Sequence, residues 1–68
     1  MNLIKETIKI FHEYGIDFKR YDLTGYLKGP CPDICLYNLI FTNKYQQCQI
    51  SINFTYINKE IDYEIILM

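Results

Sequence analysis

From Cys48 to Tyr56 the chain alternates without a break. Cys48, Ile50, Ile52, Phe54 and Tyr56 fall on one phase, and Gln49, Ser51, Asn53 and Thr55 on the other. Successive Cβ atoms leave opposite sides of a pleat, so this pattern predicts a strand with one face in a core and the other toward water. The preceding run, Ile34 to Phe41, is apolar on both phases. Cys35, Tyr37, Leu39 and Phe41 share one face and Ile34, Leu36 and Ile40 share the other, interrupted only by Asn38. The polar TNKYQQ between the two runs predicts a turn, so 34–56 reads as a β-hairpin around which the rest of the chain is arranged.

Upstream the period changes. Leu3, Ile4, Thr7, Ile8, Phe11 and Tyr14 recur at three- and four-residue spacing, with Asn2 placed to cap the start and Gly15 to follow the end. This predicts an amphipathic helix that needs a sheet to cover its apolar stripe. Ile16 to Leu23 alternates imperfectly, which suggests a short edge strand with a bulge. Thr24 to Asp33 holds Gly25, Gly29, Pro30 and Pro32 and reads as a long loop. After a turn at Asn58, Lys59 and Glu60, Ile61 to Met68 alternates again as a last strand. Short turns between consecutive strands favour neighbouring pairing. The expected fold class is therefore α+β: one N-terminal helix packed on a four-stranded antiparallel meander, in one small domain of 68 residues.

Composition narrows the possible functions more than it selects one. Half the residues are hydrophobic and the formal charge is −1, with seven Lys and Arg against eight Asp and Glu. Disorder is disfavoured, and so is a surface built to bind polyphosphate, which needs a basic excess. There is no apolar run of membrane-spanning length and no secretory signal pattern, so the expectation is a cytoplasmic protein without membrane contact. The chain lacks Ala, Val and Trp and is rich in Ile, Asn, Lys and Tyr, a bias that suits a low-GC bacterium, its phage or another mobile element.

The candidate chemistry is sparse. Cys31 and Cys35 are spaced C-x₃-C rather than C-x-x-C, and an odd count of three Cys favours reduced thiols. His12 with the three Cys would make a zinc set only by converging from a helix, a loop and two strands, so no cofactor or metal is expected. One Ser, one His and the absence of G-x-S-x-G or H-E-x-x-H leave catalysis without support. Asp62 and Glu64 share a strand face but imply no pocket. Tyr26 and Tyr45, read as a loop and a turn residue with Lys28 and Lys44 nearby, could stack on single-stranded bases or anchor a protein interface.

The surplus of apolar side chains is the stronger signal. If Cys35, Tyr37, Leu39 and Phe41 face the helix, then Ile34, Leu36 and Ile40 do not, and Ile66 can join them. Either the loop Thr24 to Asp33 folds over this face, or the face meets a partner. The expectation is a non-enzymatic protein-binding module, an inhibitor or regulator of a host enzyme or defence component. Its expected contact residues are Ile34, Leu36, Ile40, Tyr26, Tyr45 and Ile66, with a homodimer possible; the alternatives are single-stranded nucleic-acid binding through the Tyr and Lys loops and a Cys-based redox or zinc module.

Overall fold

A computed structural model describes residues 2–30 and 34–68. The helix α1 spans Leu3–Glu13 and is followed by a 3₁₀ turn at Phe18–Arg20. Four strands follow: β1 (Tyr21–Lys28), β2 (Ile34–Asn43), β3 (Gln49–Ile57) and β4 (Glu60–Leu67). They pair antiparallel in the order β1-β2-β3-β4, the expected α+β meander.

Both ends of α1 follow from local chemistry. The Asn2 side chain accepts a hydrogen bond from the Lys5 N–H at 3.1 Å, satisfying a backbone donor that the first helical turn leaves unpaired. At the other end Gly15 takes φ +69°. Its N–H reaches the His12 carbonyl at 3.1 Å, and the Ile16 N–H reaches Phe11 at 2.8 Å. These two bonds make a Schellman cap, whose left-handed residue glycine adopts without steric cost.

Residues Ile16 and Asp17 belong to no strand. The Asp17 carboxylate instead caps the 3₁₀ turn by accepting from the Lys19 N–H at 3.1 Å. The edge strand expected over Ile16 to Leu23 is thus displaced along the chain, and the first half of the loop expected over Thr24 to Asp33, Thr24 to Lys28, belongs to β1. Its register against β2 shifts between Leu23 and Gly25, so Thr24 is the extra residue of a bulge. The shift explains the broken alternation: Leu23 opposes Phe41, whereas Tyr26 opposes Leu39. At Gly25 the strand backbone runs close to Ile40, and a Cβ there would lie 3.2 Å from the Ile40 Cβ.

The core lies between α1 and one face of β2 and β3. Ile10 and Phe11 from the helix meet Leu39, Phe41, Ile50, Ile52 and Phe54. Phe11 is at the centre, edge-to-face with Phe41 (5.3 Å), Phe18 (5.4 Å) and Tyr21 (5.6 Å). Thr7, fully buried beneath the helix, satisfies its hydroxyl on the Leu3 carbonyl at 2.8 Å. The β3–β4 connection is a two-residue turn in which Asn58 and Lys59 both take positive φ, of 51° and 65°. That geometry matches the twist of the strands it joins.

Candidate functional site

Residues directly opposed in an antiparallel ladder share a face. The pairing therefore assigns every strand position to the helix side or to the outer side. The outer side carries five ranks across the sheet: Ile34–Ile57–Glu60, Leu36–Thr55–Asp62, Leu27–Asn38–Asn53–Glu64, Gly25–Ile40–Ser51–Ile66, and Asp22–Thr42–Gln49–Met68. Its apolar members lie mainly toward β1 and β2, and three of its four carboxylates lie along β4, with Asp22 on β1.

No described segment covers this face. Leu27 is 69% exposed, Leu36 48% and Ile66 42%, with Ile34, Ile57 and Met68 also exposed. The first half of the expected covering loop is β1 instead, continuing the plane of the sheet through its pairing with β2. Only 31–33 of that stretch lie outside the described residues. A shallow depression of about 260 Å³ opens between Leu27, Leu36, Asn38, Asn53 and Thr55. Its floor is a polar patch in which the Asn38 amide donates to the Ser51 hydroxyl at 2.9 Å and to the Asn53 side-chain oxygen at 2.6 Å. Farther along β2 the Thr24 and Thr42 hydroxyls meet at 2.8 Å.

Four of the six expected contact residues, Ile34, Leu36, Ile40 and Ile66, come together on this outer face. Tyr26 does not. It is a β1 residue on the helix side, beside Leu3, Ile4 and Leu23 in a groove along the start of α1. Tyr45 lies elsewhere again, in the β2–β3 turn, 74% exposed and with the Arg20 guanidinium 5.7 Å from its ring centre. The Asn43 side chain shapes that turn by accepting from the Tyr45 and Gln46 N–H groups at 2.8 and 3.1 Å.

Leu27, the most exposed apolar residue on the outer face, is absent from the sequence-based expectation because Gly25 marked its segment as a loop. The signal was the phase change in YDLTGYLK: Tyr21 and Leu23 on one side of Thr24, Tyr26 and Lys28 on the other, as a one-residue bulge produces.

The charges are segregated. Asp22, Glu60, Asp62 and Glu64 occupy outer strand positions, and no Lys or Arg occupies one. Lys28 is on the helix side, 5.9 Å from the Tyr37 ring centre. Lys44, in the turn, pairs with Asp22 at 3.7 Å and donates its N–H to the Arg20 carbonyl at 2.7 Å. Arg20, Lys44 and Tyr45 thus gather at one end of β1, and Lys28 is at the other, so the Tyr and Lys residues do not form one continuous basic track.

Among the described residues the thiols do not form a site with His12. Cys48 is a free thiol with its sulfur 3.8 Å from the Tyr21 hydroxyl. Cys35 is disulfide-bonded, contrary to the expectation of reduced thiols. Cys31 lies outside the described residues. Among the described residues no group of three or more His, Cys, Asp or Glu is arranged to hold a metal ion, and no helix is long and apolar enough to cross a membrane. Tyr63, on the helix side of β4, has its phenol pushed above the ordinary value by desolvation and then by the neighbouring Tyr14 and Glu13.

No protein-family model, curated protein or solved structure matches the chain.

Proposed function

We propose that this chain is a small non-enzymatic protein-binding module that docks through the outer face of its sheet onto a larger protein and regulates it. The observation that carries the reading is the open apolar row Leu27, Leu36 and Ile34, continued by Ile40 and Ile66, around the Asn38 depression. Fully covering an aliphatic side chain is worth about 1.5–3 kcal/mol, so occupancy by a partner recovers a sizeable free energy that the isolated chain forgoes. The charge arrangement selects the occupant: an apolar protein surface rimmed by Lys or Arg complements a face whose strand positions carry acids and no cations. A second copy presenting the same face would bring like charges together.

The test is a pair of measurements on the parent and on Leu36→Asp: mass in solution by light scattering, and capture of a partner from lysate of a low-GC bacterium. The reading expects a monomer that retains one defined protein and loses it in Leu36→Asp. Retention unaffected by Leu36→Asp removes the outer face as the interface. A parent dimer dissociated by the substitution means that the face serves self-association instead. Binding of single-stranded nucleic acid through Tyr26 and Tyr45 has weaker support, since those residues lie on separate parts of the molecule.

A further inference from the structure

The two edges of the sheet are not equivalent. The β1 edge is interrupted by the bulge at Thr24, which offsets its backbone groups and bends the strand. The β4 edge has no such break. Eight consecutive pairs, Ile50↔Leu67 to Ile57↔Glu60, run without a register shift, and Met68 extends them. Gln49 and Met68 exchange both backbone hydrogen bonds, at 3.2 and 2.8 Å. Counting by twos from that pair, Ile66, Glu64, Asp62 and Glu60 direct their backbone groups to β3. Leu67, Ile65, Tyr63 and Ile61 therefore turn theirs away from the sheet, and among the described residues no strand lies beyond β4.

Side chains along this edge are sorted by the same period. Glu60, Asp62 and Glu64 stand on the outer face, and Ile61, Tyr63, Ile65 and Leu67 stand on the helix face, Tyr63 and Leu67 exposed among them. An added strand would meet carboxylates on one side and apolar groups on the other. It would also place its residues opposite Glu60, Asp62 and Glu64 in non-hydrogen-bonded pairs, where facing side chains approach most closely.

A second copy of β4 is poorly suited to the position. The two registers that overlap most of the strand set Asp62 against Glu64, or Glu64 against itself. Like charges directly opposed are destabilising.

We infer that the β4 edge is a strand-addition site for an extended peptide segment of alternating basic and apolar residues, its Lys or Arg side chains opposite Glu60, Asp62 and Glu64. The free backbone groups of Ile61, Tyr63, Ile65 and Leu67 supply the affinity, and the carboxylates supply the choice of sequence. This edge shares the β4 carboxylates with the outer-face reading but does not use Leu27, Ile34 or Leu36, so Leu36→Asp separates the failure of one reading from the failure of the other.

The experiment uses fluorescence anisotropy with labelled, end-capped peptides as long as β4. One alternates Lys and Ile, one alternates Glu and Ile, and one is the Lys peptide N-methylated at its Ile residues, whose N–H groups would meet β4. The protein is the full chain, as parent, as the Asp62→Lys/Glu64→Lys double variant and as Leu36→Asp, each first shown by circular dichroism to keep its fold. The Lys peptide is expected to bind the parent at least about tenfold more tightly than the Glu peptide, a difference of the size that opposed charge pairs supply. N-methylation should abolish binding, the double variant should reverse the charge preference, and Leu36→Asp should bind as the parent does. An N-methylated peptide that binds as well as its parent would overturn strand addition in favour of unspecific charge attraction. So would a Lys peptide that fails to bind the parent, or a parent dimer that the peptide cannot dissociate.

Discussion

Asn38 and Asn53 face each other across β2 and β3, the Asn38 Nδ2 donating to the Asn53 Oδ1 at 2.6 Å. The same amide donates to Ser51 at 2.9 Å, so a polar patch divides Leu36 from Ile40 along β2. Leucine at position 38 would join the two into one apolar stripe. Asn38→Leu removes its hydrogen bonds to the buried Ser51 and the half-buried Asn53, and such bonds contribute about 0.5–1.5 kcal/mol net, offset in part by the added apolar contact. The expected result is a fold whose urea midpoint moves little and whose mass in solution rises with concentration. A variant that remains monomeric at concentrations where the parent does would show that the polar patch does not limit self-association.

Phe11 concentrates the stability of the molecule in one side chain. It is fully buried and touches aromatic rings from the 3₁₀ turn, β1 and β2, linking every layer that the helix covers. Replacing a buried Phe with Ala costs about 3–5 kcal/mol, against roughly 5–15 kcal/mol for a whole domain, with small domains at the lower end. Phe11→Ala should therefore lose its cooperative thermal transition near room temperature, and Phe11→Leu, which keeps part of the volume, should retain one at a lower midpoint. A well-folded Phe11→Ala would mean that the sheet is stable without the helix.

The architecture was legible where one period held for long enough. The helix, its Asn2 cap and Gly15 terminus, the 34–56 hairpin and the last strand all follow from spacing and turn residues, and the structure shows each of them. Reading failed between Ile16 and Lys28, where two local devices hide the period. Asp17 caps a short 3₁₀ turn that no apolar repeat announces, and the Thr24 bulge moves the apolar phase by one residue beside a glycine. The cost was in the candidate site. Leu27 was lost from the outer face, and Tyr26 was placed in a loop when it stands on the opposite side of the sheet. The acid row was legible only in its Asp62 and Glu64 members, because Glu60 was assigned to the turn and only pairing with Ile57 places it in line with them.

Gly15 gives a check on the helix terminus. At φ +69° a side chain is strained even though nothing lies within 4 Å of the position its Cβ would take. The strain is therefore in the backbone alone. Gly15→Ala should cost about 1–2 kcal/mol, and Gly15→Asn less, since Asn adopts left-handed geometry more readily. Urea unfolding of the two variants beside the parent measures both. Equal stability of Gly15→Ala and the parent would show that the chain ends α1 in another way.

Tyr63 makes a prediction about alkaline pH. Its phenol is held above 10.0 by desolvation and by Tyr14 and Glu13, so the folded chain retains this proton after the unfolded chain has released it. Below the unfolded value the contribution to stability is complete. As pH rises through the folded value the contribution disappears, because ionisation favours the unfolded state. The comparison is internal: parent against Tyr63→Phe, unfolded in urea from about pH 8 to about pH 11. The expected outcome is that the parent loses more stability over that interval than Tyr63→Phe, which has no proton at this position to lose. Equal losses would show that the Tyr14 and Glu13 contacts do not hold the Tyr63 phenol neutral in solution.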